Sequence, residues 1–217
     1  MQGRASDKRI VCFGDSNTWG YNAQSGERFP AGVRWTTLLA DLLGGEFQVV
    51  EEGLPGRTSV MDDPLFEGLN GLTYLHPCLM SHSPIGLIII MLGTNDTKAR
   101  FHLTSYNIAQ GITRLAYKAS RTPVGPDGQF PRVLVVAPPP IHKQYYKTEI
   151  GKSMGKHCDV KSEELAMHLE ELLSETGIDF LNTGRKVPMN TIDFMHLDEY
   201  GHRLLARLVF DKIKDIL

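Results

Sequence analysis

Cysteine is scarce in this chain. Cys12, Cys78 and Cys158 lie far apart in 217 residues, too few and odd in number for a disulfide framework, which points to a reducing compartment. Long apolar runs are missing as well. The longest, residues 85–92, falls far short of the roughly 20 residues that cross a bilayer, and residues 1–9 are polar and charged, without the apolar centre of a secretory leader. Charge of one sign never accumulates: 23 Lys and Arg stand against 25 Asp and Glu, a formal net charge of −2. Neither nucleic acid nor an anionic membrane is indicated as a partner. No internal repeat, low-complexity tract or linker interrupts the pattern. The expectation is one cytoplasmic globular domain over residues 1–217, long enough to bury a full core.

What the chain does have is a series of apolar segments closed by turn residues. Residues 8–13, 47–50, 85–92, 132–137 and 178–181 predict strands, the first and third buried on both faces. Helical spacing predicts helices over 34–43, 65–80, 104–120 and 162–177, with Ser162 as an N-cap, and a last helix capped by Asp198. Residues 18–33 read as a long loop, and 141–160 have no assignable pattern. Strands alternating with helices imply an α/β fold: a doubly wound, mostly parallel five-stranded sheet between two helical layers.

In such a sheet the strand C-termini share one edge, where ligands bind. That edge carries Gly14-Asp15-Ser16, Gly53-Leu54-Pro55-Gly56 and Gly93-Thr94-Asn95-Asp96, with Asp193-Phe194-Met195-His196 just before the final helix. Acyl transfer by serine needs a hydroxyl, an imidazole to take its proton, a carboxylate to orient the imidazole, and donors for the oxyanion. All of these are present. A lone Ser16 would be read as a turn serine; Asn95 and the Asp193/His196 pair reverse that reading. Asp15 fits a turn residue better than an acid, and Asp96 a loop-holding residue.

These four blocks, in this order and over nearly the whole chain, resemble the SGNH (GDSL-type) hydrolases. Arg34-Trp35-Thr36, Glu51-Glu52-Gly53-Leu54, the run from Ile89 to Lys98 and that from Val133 to Pro140 are similar to its small bacterial arylesterase/acyltransferase (perhydrolase) branch. The resemblance implies a flavodoxin-like three-layer fold, with Ser16 as nucleophile, His196 as base and then acid, and Asp193 orienting it. The N–H groups of Ser16 and Gly56 and the amide of Asn95 would form the oxyanion hole. It also implies short-chain aryl or alkyl ester substrates, acyl transfer to alcohols or peroxide beside hydrolysis, no cofactor and no metal. A homo-oligomer is implied too, with an octamer as the suggested form. Two positions depart from the family pattern. Asn17 stands where many members have Leu, a flanking change without expected bearing on Ser16, and Glu51 stands where many have Asn.

Trp19, Tyr21, Thr94, Phe194 and Met195 are candidate substrate contacts, and Phe101, Tyr145 and Tyr146 further candidate walls; ordinary packing is an equal reading for each aromatic. Residues 139–160 look inserted after the fourth strand and are candidates for pocket walls and subunit contacts. Gly151-Lys152-Ser153-Met154-Gly155 imitates a nucleophile elbow, but no core strand precedes it. His76, Cys78 and His82 match no familiar metal spacing, and packing is the expected role. A carbohydrate acetyl esterase, or a thioesterase/lysophospholipase, would use the same site. A non-catalytic binding module or a nucleotide-binding flavodoxin-like protein would leave the four blocks unexplained.

Overall fold

The computed structural model describes residues 9–217; position 8, expected to open the first strand, lies outside them. The apolar runs pair side by side. β1 (Arg9–Gly14), β2 (Gln48–Gly53), β3 (Leu87–Met91), β4 (Arg132–Ala137) and β5 (Asp179–Asn182) form one sheet in the order β2-β1-β3-β4-β5. Every pairing is parallel. The expected doubly wound α/β sheet is present.

Alternation along the strands builds both cores, because successive side chains leave a strand on opposite faces. Val11, Phe13, Ile88, Ile90, Val133 and Val135 meet α3 (Gly71–His82), α4 (Ser105–Ser120) and α6 (Cys158–Leu173) through Leu75, Leu79, Ile112, Leu115, Leu165 and Leu169. Ile10, Cys12, Leu87, Ile89, Leu134 and Val136 meet α2 (Trp35–Leu42) and α7 (Glu199–Ile216) through Trp35, Leu39, Leu205, Val209 and Ile213. Each fully buried Leu or Ile contributes ~1.5–3 kcal/mol. Among the described residues, no helix is long and apolar enough to cross a membrane.

Four sequence expectations are corrected. β2 does not break at Glu51 but runs to Gly53, pairing Cys12 with Glu51 and Phe13 with Glu52. Its acidic side chains are matched: Glu51 by Arg34, through two 2.8 Å bonds, and Glu52 by His82 at 2.6 Å. α3 starts at Gly71, not near 65, because the Asn70 side chain accepts from the N–H of Leu72 and Thr73, while Leu65 and Phe66 are exposed. α6 starts at Cys158, so Ser162 lies inside it; its Oγ accepts from Ile141 N–H and donates to the Asp159 carbonyl, both at 2.9 Å. The stretch read as loop from 18 begins within a short helix, α1 (Ser16–Trp19), and is pinned by a bridge between Tyr21 and Arg28.

Residues 141–160 gain their form from tertiary contact. A 3₁₀ turn (Lys143–Lys147) and α5 (Glu149–Met154) fold around Tyr145, whose hydroxyl donates to the Gly155 carbonyl at 2.7 Å and accepts from Cys158 N–H at 3.0 Å. Ile141, Tyr145, Met154 and Cys158 form a small apolar cluster with Met195.

The chain leaves β1 toward β2 and returns to β3 on the other side. This reversal opens a crevice at the C-terminal end of β1. Ser16 lies there.

Candidate active site

Ser16 is held where β1 turns into α1. Asp15 caps that turn, its Oδ1 accepting from Asn17 N–H at 2.9 Å. Burial pushes the Asp15 carboxyl up to about 6, against the Asn17 bond and the charge of His196. The end of β2 backs directly onto α1: a Cβ at Gly53 would lie 2.2 Å from the Trp19 nitrogen. Glycine here lets two backbones touch.

The imidazole arrives from the loop before α7. Asn190, buried, organises that loop: its Oδ1 accepts from Ile192 N–H at 2.7 Å and Asp193 N–H at 2.9 Å. Its Nδ2 donates to Asp193 Oδ1 and to the His196 carbonyl, both at 2.9 Å. Phe194 consequently sits at φ 63°, a conformation bulky side chains rarely adopt. Asp193 Oδ1 also accepts from the N–H groups of Met195 (3.0 Å) and His196 (3.1 Å). Burial alone would raise the Asp193 carboxyl, but the bond and charge of His196, with these donors, bring it down to about 2. Ionised, Asp193 accepts through Oδ2 from His196 Nδ1–H at 2.6 Å. That bond leaves Nε2 as an acceptor, and Nε2 faces Ser16 Oγ at 2.9 Å.

The other two blocks close around the serine. Gly56, at φ 85°, occupies a turn tied to β1 by Leu54 N–H donating to the Gly14 carbonyl at 3.1 Å. The buried Arg57 guanidinium donates to the same carbonyl at 3.0 Å and to that of Glu52, and stacks over Phe13. The Arg57 carbonyl accepts from Asn95 Nδ2 at 3.2 Å. One N–H of that buried amide is thereby anchored. Asp96 accepts from Ser59 N–H (2.9 and 3.1 Å) and Ser59 Oγ (2.5 Å), which locks the third block to the second. Arg57 and Asn190 did not stand out in the sequence. The one available signal was an Asn three residues before Asp193, a common turn-forming arrangement.

The remaining candidates separate by placement. The Tyr21 ring lies 4.5 Å from that of His196, and Trp19 is half-buried beneath the Arg28 guanidinium. Phe194 is half-buried against His142. Met195 is buried in the apolar cluster with Tyr145, and Thr94 is buried with its carbonyl accepting from Thr97 Oγ1 at 2.6 Å. Phe101 is buried and Tyr146 exposed. Ser153 is exposed on α5, outside any strand–turn–helix. His76 is exposed away from Cys78; it is Glu52 that joins Cys78 and His82 within 4.8 Å. His82 Nε2 meets Glu52 Oε1 at 2.6 Å, and burial, with the Glu52 charge and against that of Arg57, pushes the Cys78 thiol up to about 12. Glu51 lies outside the site, anchoring the loop through Arg34 and Thr36.

A hydroxyl, an imidazole and an ionised carboxylate therefore stand in hydrogen-bonded line, with an amide and a glycine turn beside them. Residues 12–204 match the model of the GDSL-like lipase/acylhydrolase family. The chain belongs to that family. The aryl esterase of M. smegmatis is 38% identical, with a TM-score of 0.86 over 97% of this chain and 100% of that one. Est24, a carbohydrate acetylesterase from Sinorhizobium meliloti, is 36% identical, with a TM-score of 0.88 and the same coverage. A lipase/acylhydrolase from Enterococcus faecalis, 19% identical with a TM-score of 0.69 over 97% of each chain, shares the fold. The comparison with curated proteins returns no match. This acylhydrolase is a carboxylic ester hydrolase.

Proposed function

We propose that this acylhydrolase cleaves short-chain acyl esters of phenols or simple alcohols through an acyl-enzyme on Ser16. The observation that carries the reading is the relay Ser16 Oγ–His196 Nε2 at 2.9 Å and His196 Nδ1–Asp193 Oδ2 at 2.6 Å. His196 takes the Ser16 proton as Oγ bonds the ester carbonyl carbon. The resulting oxyanion receives the N–H groups of Ser16 and Gly56 and the free N–H of Asn95. His196 then returns the proton to the leaving phenol or alcohol as the ester bond breaks. Water, activated by the same imidazole, releases the acid; an alcohol or peroxide in its place takes the acyl group.

The likeness to the M. smegmatis aryl esterase supports the aryl reading, and that to Est24 supports a second one, removal of acetyl groups from carbohydrate. Turnover of an aryl acetate, an acetylated sugar and an acyl thioester, each with and without added alcohol, distinguishes them. Labelling by a fluorophosphonate should vanish in Ser16→Ala. Labelling that persists there would remove Ser16 from the mechanism. The homo-oligomer is likewise a proposal, tested by light scattering of the purified protein.

A further inference from the structure

Ser16 and His196 come from segments 180 residues apart, and the relay works only if those segments keep one mutual position. Three side-chain hydrogen bonds join the turn at Ser16 to the loop at His196 among the described residues. One is the relay bond itself. The other two both come from Asn17: its Oδ1 accepts from Leu197 N–H at 3.0 Å and its Nδ2 donates to the Met195 carbonyl at 3.3 Å. These backbone groups flank His196 on either side, and Asn17 is buried. An amide can satisfy a donor and an acceptor together from one planar group, whereas a leucine of similar size can satisfy neither.

We infer that Asn17 is a positioning residue for the reaction: it clamps the loop on both sides of His196 and sets the distance from Nε2 to Ser16 Oγ. It touches no reacting atom. Asn190 shapes the loop internally; Asn17 docks the shaped loop onto the nucleophile. The residue next to the serine in sequence thus carries the link between the two halves of the relay.

The inference rests on the proposed roles of Ser16 and His196, so His196→Ala is measured alongside. Full activity in His196→Ala would overturn the mechanism itself. With that variant inactive, Asn17→Leu and Asn17→Ser test the clamp, with kcat expressed per serine titrated by the fluorophosphonate. Misplacing a reacting group by ~1 Å can lower a rate by ~10²-fold. We expect kcat per titrated serine to fall about 10-fold or more with KM within about twofold. The rate constant of serine labelling should fall in parallel, and amide exchange at Leu197 should rise. A merely structural role would reduce the number of titratable serines and leave kcat per site unchanged. That outcome, or kcat per site within about twofold of wild type in either folded variant, overturns the clamp.

Discussion

Asn95 shows how much a single side chain is asked to do. Its amide gives one N–H to the Arg57 carbonyl at 3.2 Å, so the direction of the other is fixed before substrate arrives. A preoriented neutral donor costs no reorganisation as charge develops, and losing one typically lowers kcat by ~10²–10³. Asn95→Ala should therefore lose about that factor in kcat, with KM little changed, in steady-state hydrolysis of an aryl acetate. A loss confined to KM would place Asn95 in ground-state binding instead. The type of residue and its place at a strand end were readable from sequence. The anchoring by Arg57 was not, because a carbonyl as acceptor leaves no trace in side-chain chemistry. Asn17 and Asn190 escaped for the same reason: most of their partners are backbone groups.

At the scale of elements, legibility followed the source of stability. β3 and β4, with α4 and α7, stood at the expected places because continuous burial or helical periodicity holds them. α3 was misplaced because exposed Leu65 and Phe66 imitate the start of an apolar face, while the cap lies at Asn70. Asn70 also donates to the Val60 carbonyl and to Asp62 Oδ1. Asn70→Ala should cost about 1–2 kcal/mol in urea unfolding, as lost N-caps do, and the loss should persist at high salt since the partners are mostly uncharged. The contact of β2 with α1 is a sharper case. Gly53→Ala forces a methyl group to 2.2 Å from the Trp19 nitrogen, with backbone on both sides unable to yield. We expect a fall of several degrees in Tm together with loss of serine labelling, since α1 carries Ser16. Unchanged labelling at full stability would show that β2 does not brace the nucleophile. The start of α6 and the whole of 141–160 had no local signal: Tyr145 supplies the hydroxyl that receives the Cys158 N–H, and Met195 supplies part of the apolar surface.

Over the whole molecule, two buried groups titrate in opposite directions. His202, at the interface of α2 and α7, accepts from Trp35 N–H at 3.2 Å and packs edge-on against Phe29. Burial, with the charges of Arg34 and His196 and against that of Asp198, pushes its imidazole down to about 4 from 6.5. Below pH 6.5 the unfolded chain binds a proton that the folded chain refuses, so this group lowers stability as pH falls from about 6.5 to 4, by about 3 kcal/mol in all. Asp15 acts in the opposite sense. Its folded carboxyl titrates at about 6 against 3.8 when unfolded, so the folded chain binds the extra proton and gains stability over much the same interval. Asp96, also raised by burial, adds to that side. Asp193, held at about 2, enters only below about 3.8, where its protonation removes stability. Protonation of His202 and that of Asp15 therefore act against each other between pH 6 and 4, and the intact protein should show a shallow dependence there. His202→Asn keeps an acceptor for the Trp35 N–H but cannot be protonated, so its stability should rise relative to wild type as pH falls through that window. Asp15→Asn should do the reverse, its stability falling more steeply than that of wild type. The measurement is the slope of unfolding free energy against pH for the three proteins. Parallel slopes would show that neither group changes its affinity for protons on folding.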